Sequence, residues 1–417
     1  MARGRSRWPA AAAAISRHER RTEGRMTTMM GLAGTLAGIR VLDLSQGIAG
    51  PHGACLLGDL GADVVKVEPP EGDWGRRLGA APGEVGPTFH SFNRGKRSIV
   101  LDLRQESARE TARALAARAD VVIESNRPGV ARRLGLDHAT LSAGRPELIY
   151  VAVSGFGQDG PYAERPATDS IVQAFTGLPH GASTTGEPLR IRFGIVDVGA
   201  GIYASQAVLA ALLLRARTGR GGLLDINLTH VSAALQAYKL AEAAGPAGSE
   251  PRELVAGIGT YATADGHLVV AGVQERHFGI LLDVVGRADL RSDPRFAEPG
   301  ARLANQAALR GLIAEAIRLR PTAHWVAAMG AAGLPCQELL TYGRFRQDPH
   351  VRAVNLVEDV AYAGQWPLPS VRCPGLPQTE FAARRAPALG EHTREILAEA
   401  GLGHMSDCET QRQEAMR

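Results

Sequence analysis

From residue 39 the chain alternates short β-branched apolar runs with longer stretches of helical period. "IRVLDLS" (39–45) has a strand composition and runs into the turn "QGIAGP". "HGACLLGDLG" then has a helical pattern, and "ADVVKVE" is a second strand. This order predicts a βαβ unit whose first loop carries glycine. The pattern recurs: "RSIVLDL" is a strand, "QESARETARALAARA" a helix with Ala and Leu on one face, and "DVVIES" and "ELIYVAVSG" (147–155) are strands. Strands alternating with helices predict an α/β fold with a parallel, doubly wound sheet.

Further along, "DVGAGIYASQAVLAALLLRARTG" predicts a long helix, and "GGLLDINLTHVSAALQAYKLAEAAG" a short strand leading into a helix. "AAGPAGSEPRE" (243–253) reads as a linker. "TYATADGHLVVAGV" predicts two strands turning at Asp265-Gly266. Helices follow through "LRGLIAEAIRL" and "TAHWVAAMGAAG"; the last part is loop-rich and ends in the helix "TREILAEAGL". The division is a disordered basic extension over 1–34, the first part of a large α/β domain over 35–230, a small domain over 245–345, and a segment over 355–417 returning to the large domain.

Composition narrows the class. The chain has 417 residues, 45% hydrophobic and 22% charged, with 49 glycines and few aromatics (5%). That mix suits an α/β enzyme better than a stacking platform for nucleic acid. The net charge is +4, and "MARGRSRWPAAAAAISRHERRTEGR" at the start carries most of the excess, so no nucleic-acid footprint is expected. The longest uncharged run, 198–214, includes Gly, Tyr, Ser and Gln and falls short of a membrane span. Four separated cysteines (55, 336, 373, 408) with no CxxC pair, and 12 scattered histidines with no HExxH pair, imply reduced thiols, a cytoplasmic protein and no metal site.

"GFGQDG" (155–160) matches the GxGxxG pattern after a strand. Its context is wrong for a dinucleotide site: Pro161 and Pro166 follow, the helix starts nearer residue 168, and no acidic residue ends a following strand at the expected distance. It reads as a tight glycine turn. Just beyond it, "ATDSIVQAFTG" (167–177) puts Asp169 before an apolar helical stripe. Thr168, Asp169 and Ser170 are all good helix-capping residues. Asp169 can equally act as a nucleophile toward an acyl group, with backbone N–H groups of "SGFGQDG" as oxyanion donors.

The ordered set "LAGIRVLDLSQGIAGPHGACLLGDLGADVVKVEPPEGDWGRRLG" (36–79), "FHSFNRGKRSIVLDLR" (89–104), "ADVVIESNRPGVARRLGLD" (119–137), "PELIYVAVSGFGQDGPYAERPATDSIVQAFTG" (146–177) and "TGRGGLLDINL" (218–228) resembles the family III CoA-transferases, the group of the formyl-CoA, carnitine and benzylsuccinate CoA-transferases. "YATADGHLVV" and "DPRF" also fit, so the resemblance spans nearly the whole chain from about residue 36. It implies a Rossmann-like large domain, a smaller α/β domain and an interlocked homodimer. It also implies transfer of CoA from an acyl-CoA donor to a carboxylic acid, through an aspartyl anhydride and an aspartyl-CoA thioester on Asp169. No bound cofactor is implied; CoA is substrate.

The matching positions imply CoA contacts at Gly47, Ile48 and Ala49, at Phe92, Asn93, Lys96 and Arg97, at Ser125 and Asn126, and at Val130, Arg133 and Leu134. Lys96 and Arg97 would offer cations for phosphate; read without the resemblance, they form a solvated basic patch. His52, Gln158 and Tyr162 are candidates for the acyl pocket. The chain departs from the family's glycine-rich flap, having only "VAGIG" (255–259). The α-methylacyl-CoA racemases share the fold, but Thr168 stands where they have a His; His138 is the remaining candidate base. A non-catalytic CoA- or nucleotide-binding regulator is the alternative of a different class.

Overall fold

A computed structural model describes residues 31–79, 83–181, 187–245, 255–380 and 383–403. The predicted alternation closes into one six-stranded parallel sheet. Its strands are β1 (Arg40–Asp43), β2 (Asp63–Glu68), β3 (Arg97–Val100), β4 (Val121–Glu124), β5 (Ile149–Ser154) and β6 (Gly222–Asn227). They lie in the order β3-β2-β1-β4-β5-β6, every neighbouring pair parallel. The winding direction reverses between β1 and β4, as in other doubly wound sheets.

The helices of this region are α1 (Ala49–Asp59), α2 (Pro87–Asn93), α3 (Glu106–Ala116), α4 (Val130–Leu134), α5 (His138–Leu141), α6 (Asp169–Phe175), α7 (Leu178–Gly181), α8 (Ile195–Thr218) and α9 (Leu228–Leu235). The central strands are apolar at successive residues because helices cover both faces. Val121, Ile123, Ile149, Val151 and Val153 face a core completed by α1, α6, α8 and α9. Val122, Tyr150 and Ala152 face the opposite core, completed by α3 and the C-terminal helix Thr393–Glu399.

Helix α8 is 24 residues long and ends at Gly219, whose φ of 70° lets the chain leave the helix. With a hydropathy of 1.6 it is long and apolar enough, by length and composition, to cross a membrane, although its uncharged run alone falls short. In this fold Val196, Gly199, Ala200, Ala204 and Val208 on one side are buried. Its packing on α1 is close. A Cβ on Gly201 would sit 2.6 Å from the His52 side chain, and one on Gly53 3.1 Å from Ala204.

A second sheet forms from β7 (Gly259–Ala262) and β8 (His267–Val270), the antiparallel pair expected around Asp265-Gly266, joined by β9 (Cys336–Glu338). It packs on helices through Tyr261, Leu268, Leu281, Ile313, Trp325 and Met329. Beyond it, β10 (Val357–Val360) pairs with β11 (Leu368–Val371). This last segment is tied to α2. His90 is buried between Tyr362 Oη (2.7 Å) and Ser370 Oγ (3.2 Å), and Leu368 and Ala386 pack with Val85 and Phe89. Most of the predicted basic extension (1–30), most of the linker (from 246) and Cys408 lie outside the described residues.

Candidate active site

The β1/β4 switch opens a crevice of about 260 Å³ beyond the strands' carboxyl ends, lined in part by Leu44, Gln46, Val67, Arg104, Asn126 and Leu134. Ligands of doubly wound sheets bind in this place. The Gln46 N–H donates to Ser125 Oγ at 3.0 Å, joining the two rims. Gly47 then turns at φ 82°. Its N–H donates to the Asp73 carboxylate at 3.0 and 3.2 Å. Trp74, half exposed, lies against it; a Cβ at residue 47 would be 2.0 Å from the indole. Both the dihedral and the contact demand glycine. Ile48 and Ala49 follow and open α1.

Beneath this turn lies a closed set of charges: Asp43, Glu68 and Asp73 against Lys66, Arg76 and Lys96, none more than 7% exposed. Lys66 Nζ binds Asp73 at 2.8 Å and donates to Ser45 O at 2.7 Å. Arg76 forks onto Glu68 with two 2.7 Å bonds. Burial pushes the Asp43 carboxyl up, but Lys66 and Lys96 outweigh it and hold the group below its ordinary range.

This arrangement changes the reading of "FNRGKR". Lys96 Nζ is buried and donates to Asp43 Oδ2 (2.7 Å), Pro51 O (2.8 Å) and Asn93 Oδ1 (2.9 Å). All three ammonium hydrogens are used, so Lys96 supports the glycine turn from below and presents no donor to a phosphate. Arg97 opens β3 at the amino edge of the sheet, opposite the crevice, where it binds Asp63, Glu395 and Glu399. Asn93 is buried, and Phe92 meets the His52 ring edge-on at 5.1 Å. On the far rim, Ser125 and Asn126 follow β4, and Asn126 bonds Glu124. Val130, Arg133 and Leu134 lie on α4, with Arg133 exposed and in no ion pair among the described residues.

Asp169 is a cap, but of a helix other than its own. It is the first residue of α6; Thr168 holds the N-cap position and makes no side-chain capping bond. Asp169 is 8% exposed, and its carboxylate reaches across to the first turn of α8. Its Oδ2 accepts from the N–H groups of Val196 (2.8 Å) and Asp197 (3.2 Å). Its Oδ1 accepts from Gln173 Nε2 at 2.5 Å. Gln173 is fixed in turn by two 3.1 Å bonds to the Ile191 backbone. The charge therefore sits at the positive end of a long helix dipole. No basic side chain forms a salt bridge with it among the described residues. Burial, then the Asp169 charge, raises the neighbouring Asp197 carboxyl to about 7.

Two of the amides expected as oxyanion donors from "SGFGQDG" are otherwise engaged: Gly157 N–H donates to Ser154 Oγ and Gln158 N–H to Asp225. The donors found at Asp169 belong to α8 instead. A signal for Gln173 was present, since Asp and Gln four apart on a helix pair readily; backbone amides of α8 carry no residue signature.

The glycine turn and the Asp169 carboxylate adjoin. A Cβ on Gly194, the N-cap of α8, would meet Ile48 at 3.4 Å. His52 flanks the same turn through Nδ1 to Val198 O at 3.1 Å, and burial pulls its pKa down to about 4. Tyr162 forms an aromatic trio with Phe156 and Phe175, the last on α6. Gln158 Nε2 is buried without a partner. His138 meets Tyr150 on the opposite face of the sheet from Asp169. No metal-ligand cluster occurs among the described residues.

The site thus offers a buried carboxylate with one oxygen held by two amides, beside the Gly47 turn whose preceding residue, Gln46, lines the switch crevice. Residues 36–393 match the model of "CoA-transferase family III". The chain is 35% identical over 332 residues to the acetyl-CoA:oxalate CoA-transferase of Acetobacter aceti, covering 78% of this chain and 85% of that one. It is 34% identical over 400 residues to the succinate–glutarate CoA-transferase of Agrobacterium fabrum, covering 90% and 98%. Among solved structures, a CAIB/BAIF family protein from Brucella suis matches with a TM-score of 0.76 at 34% identity, over 88% of this chain and 99% of that one.

Proposed function

The chain belongs to CoA-transferase family III, and on that premise we propose that it moves CoA from an acyl-CoA to a carboxylic acid by covalent catalysis on Asp169. The observation that carries this reading is the unequal grip on the carboxylate. Oδ2 is held by the Val196 and Asp197 amides, and Oδ1 by the single side-chain donor of Gln173.

Oδ1 attacks the thioester carbonyl, the C–S bond breaks, and CoA leaves as thiolate. The thiolate attacks the aspartyl carbonyl carbon of the resulting anhydride. Negative charge then develops on Oδ2, where the two amides already point. Oδ1 departs within the donor acid, leaving an aspartyl-CoA thioester. An acceptor carboxylate attacks that thioester and forms a second anhydride. The thiolate takes the new acyl group and frees Asp169. Each step exchanges one activated acyl group for another, so neither ATP nor a metal is required.

CoA would lie with its nucleotide in the switch crevice, near Ser125, Asn126, Val130, Arg133 and Leu134. Its pantetheine arm would pass Gly47, Ile48 and Ala49, which lead to the α8 N-terminus and Asp169. A second copy interlocked with the first would cover exposed Ile202, Leu209, Leu213 and Leu214 of α8, which no described part of the chain covers. Relatives are named for oxalate, succinate and glutarate, so short dicarboxylates head the acceptor panel.

The test is intact mass after incubation with acetyl-CoA or succinyl-CoA. A CoA-sized, hydroxylamine-labile adduct is expected on the wild type and absent from Asp169→Asn. An adduct equally present in the variant overturns the assignment, and no adduct across a panel of acyl-CoAs favours a binding protein without this chemistry.

A further inference from the structure

Asp197 stands in the first turn of α8, and its N–H is one of the two amide donors to Asp169 Oδ2. Its side chain shares that partly buried corner, 3.5 Å from the position a Gly194 Cβ would take. It makes no side-chain hydrogen bond or salt bridge among the described residues. Two carboxyl groups therefore occupy one helix end without a cation between them. Like charges so placed and so poorly solvated do not both ionise readily.

The charged groups on the surrounding elements do not relieve this. Asp169 on α6 opposes ionisation. His52 on α1 is kept neutral by burial. His230 on α9 and Arg192 before α8 are exposed, and Arg190 donates to Ser170 Oγ.

We propose that Asp197 is a positioning residue that carries a proton while Asp169 is a free carboxylate and releases it when Asp169 is acylated. The inference rests on the transfer reading above. Acylation turns Asp169 into a neutral anhydride or thioester, so the repulsion on Asp197 vanishes; burial still favours its protonated form, but the balance shifts and a fraction of the protons passes to solvent. When Asp169 is set free again, Asp197 takes a proton back. No other bond changes. In the resting state the helix end then carries one negative charge rather than two, which eases the approach of anionic substrates.

Two measurements test this. In the first, wild type is mixed with acetyl-CoA in weak buffer containing a pH indicator, and adduct is counted by mass. A burst of less than one proton per adduct is expected at pH 7, since burial still favours the protonated form after acylation. Asp169→Asn should give none. If Asp169 takes no adduct, the transfer reading falls and this inference with it. If adduct forms with no proton burst, the inference alone falls.

The second measurement follows KM for the acyl-CoA donor, the anionic substrate that meets free Asp169, between pH 6.5 and 8.5. A rise on the order of 10-fold is expected for wild type as Asp197 ionises, and a flat profile for Asp197→Asn, which keeps the backbone donor. A folded Asp197→Asn variant with the wild-type rise overturns the role. Should that variant not fold, the proton burst decides.

Discussion

Two buried clusters of charge lie close together and are built on opposite terms. Under the Gly47 turn, Asp43, Glu68 and Asp73 face Lys66, Arg76 and Lys96, anion for cation. At the head of α8, Asp169 and Asp197 have no ion-pair partner among the described residues; amides and one glutamine side chain hold the Asp169 carboxylate. Burial penalises every one of these groups. In the first cluster ion pairs offset that penalty, and the groups are spent on one another. In the second no ion pair offsets it among the described residues, and two amides with one glutamine side chain hold the Asp169 carboxylate instead. The closed cluster shapes the turn; the open one holds the carboxylate proposed to react.

The contrast predicts how each cluster fails. Asp169→Asn should lower transfer by about 10⁴-fold or more in steady-state assays while leaving the urea midpoint nearly unchanged. A variant keeping a tenth of wild-type activity would remove Asp169 from the mechanism. Lys66→Met should do the reverse. It strands Asp73, while Asp43 keeps Lys96, so unfolding free energy should drop by roughly 3–5 kcal/mol in urea titrations, with activity per folded molecule largely kept.

pH should separate the clusters further. Asp43 and Glu68 have folded pKa values below their unfolded ones, Asp43 through Lys66 and Lys96 and Glu68 chiefly through Arg76, in each case against burial. Their contribution is present above the unfolded values near 4 and is lost as pH falls through the folded ones. Asp197 has the opposite sign. Raised to about 7, it holds a proton that the unfolded chain has already given up. Its stability contribution is therefore lost as pH rises from about 4 toward 7, and the loss levels off beyond. Urea midpoints at pH 3, 5.5 and 7.5 should show both slopes. Asp197→Asn should erase only the second. The smallest effect belongs to Arg97→Ala: its carboxylate partners are 42–56% exposed, so less than about 1 kcal/mol should be lost.

The sheet was legible because its central strands are unbroken apolar runs bounded by turns, and α8 because its period persists for six turns' worth of small and branched residues. β9 was not, since "CQE" has neither alternation nor bulk and forms only by pairing with β8. In the site, Asp169 was visible as a residue, but its environment was not. Val196 and Asp197 act through backbone N–H groups, which every non-proline residue has. "NRGKR" misled for a related reason. Lys96 and Arg97 read as a surface patch, yet each meets an acid far back in the chain, Asp43 and Asp63, as their neighbour Arg94 meets Asp59. Whether a lysine faces solvent or a buried carboxylate is decided by pairings that a local window does not contain.

The uneven hold on the Asp169 carboxylate also has an isotopic consequence. In the proposed cycle the oxygen bonded to Gln173 leaves with each donor acid and is replaced by one from the acceptor, while the oxygen in the amide pair stays. With an acceptor labelled in both carboxylate oxygens by ¹⁸O, the aspartate would gain one heavy atom and stop, for as long as the side chain does not flip. A single residue would thus carry a permanent and an exchangeable oxygen, and the rate at which the second heavy atom arrived would time the rotation of a buried carboxylate.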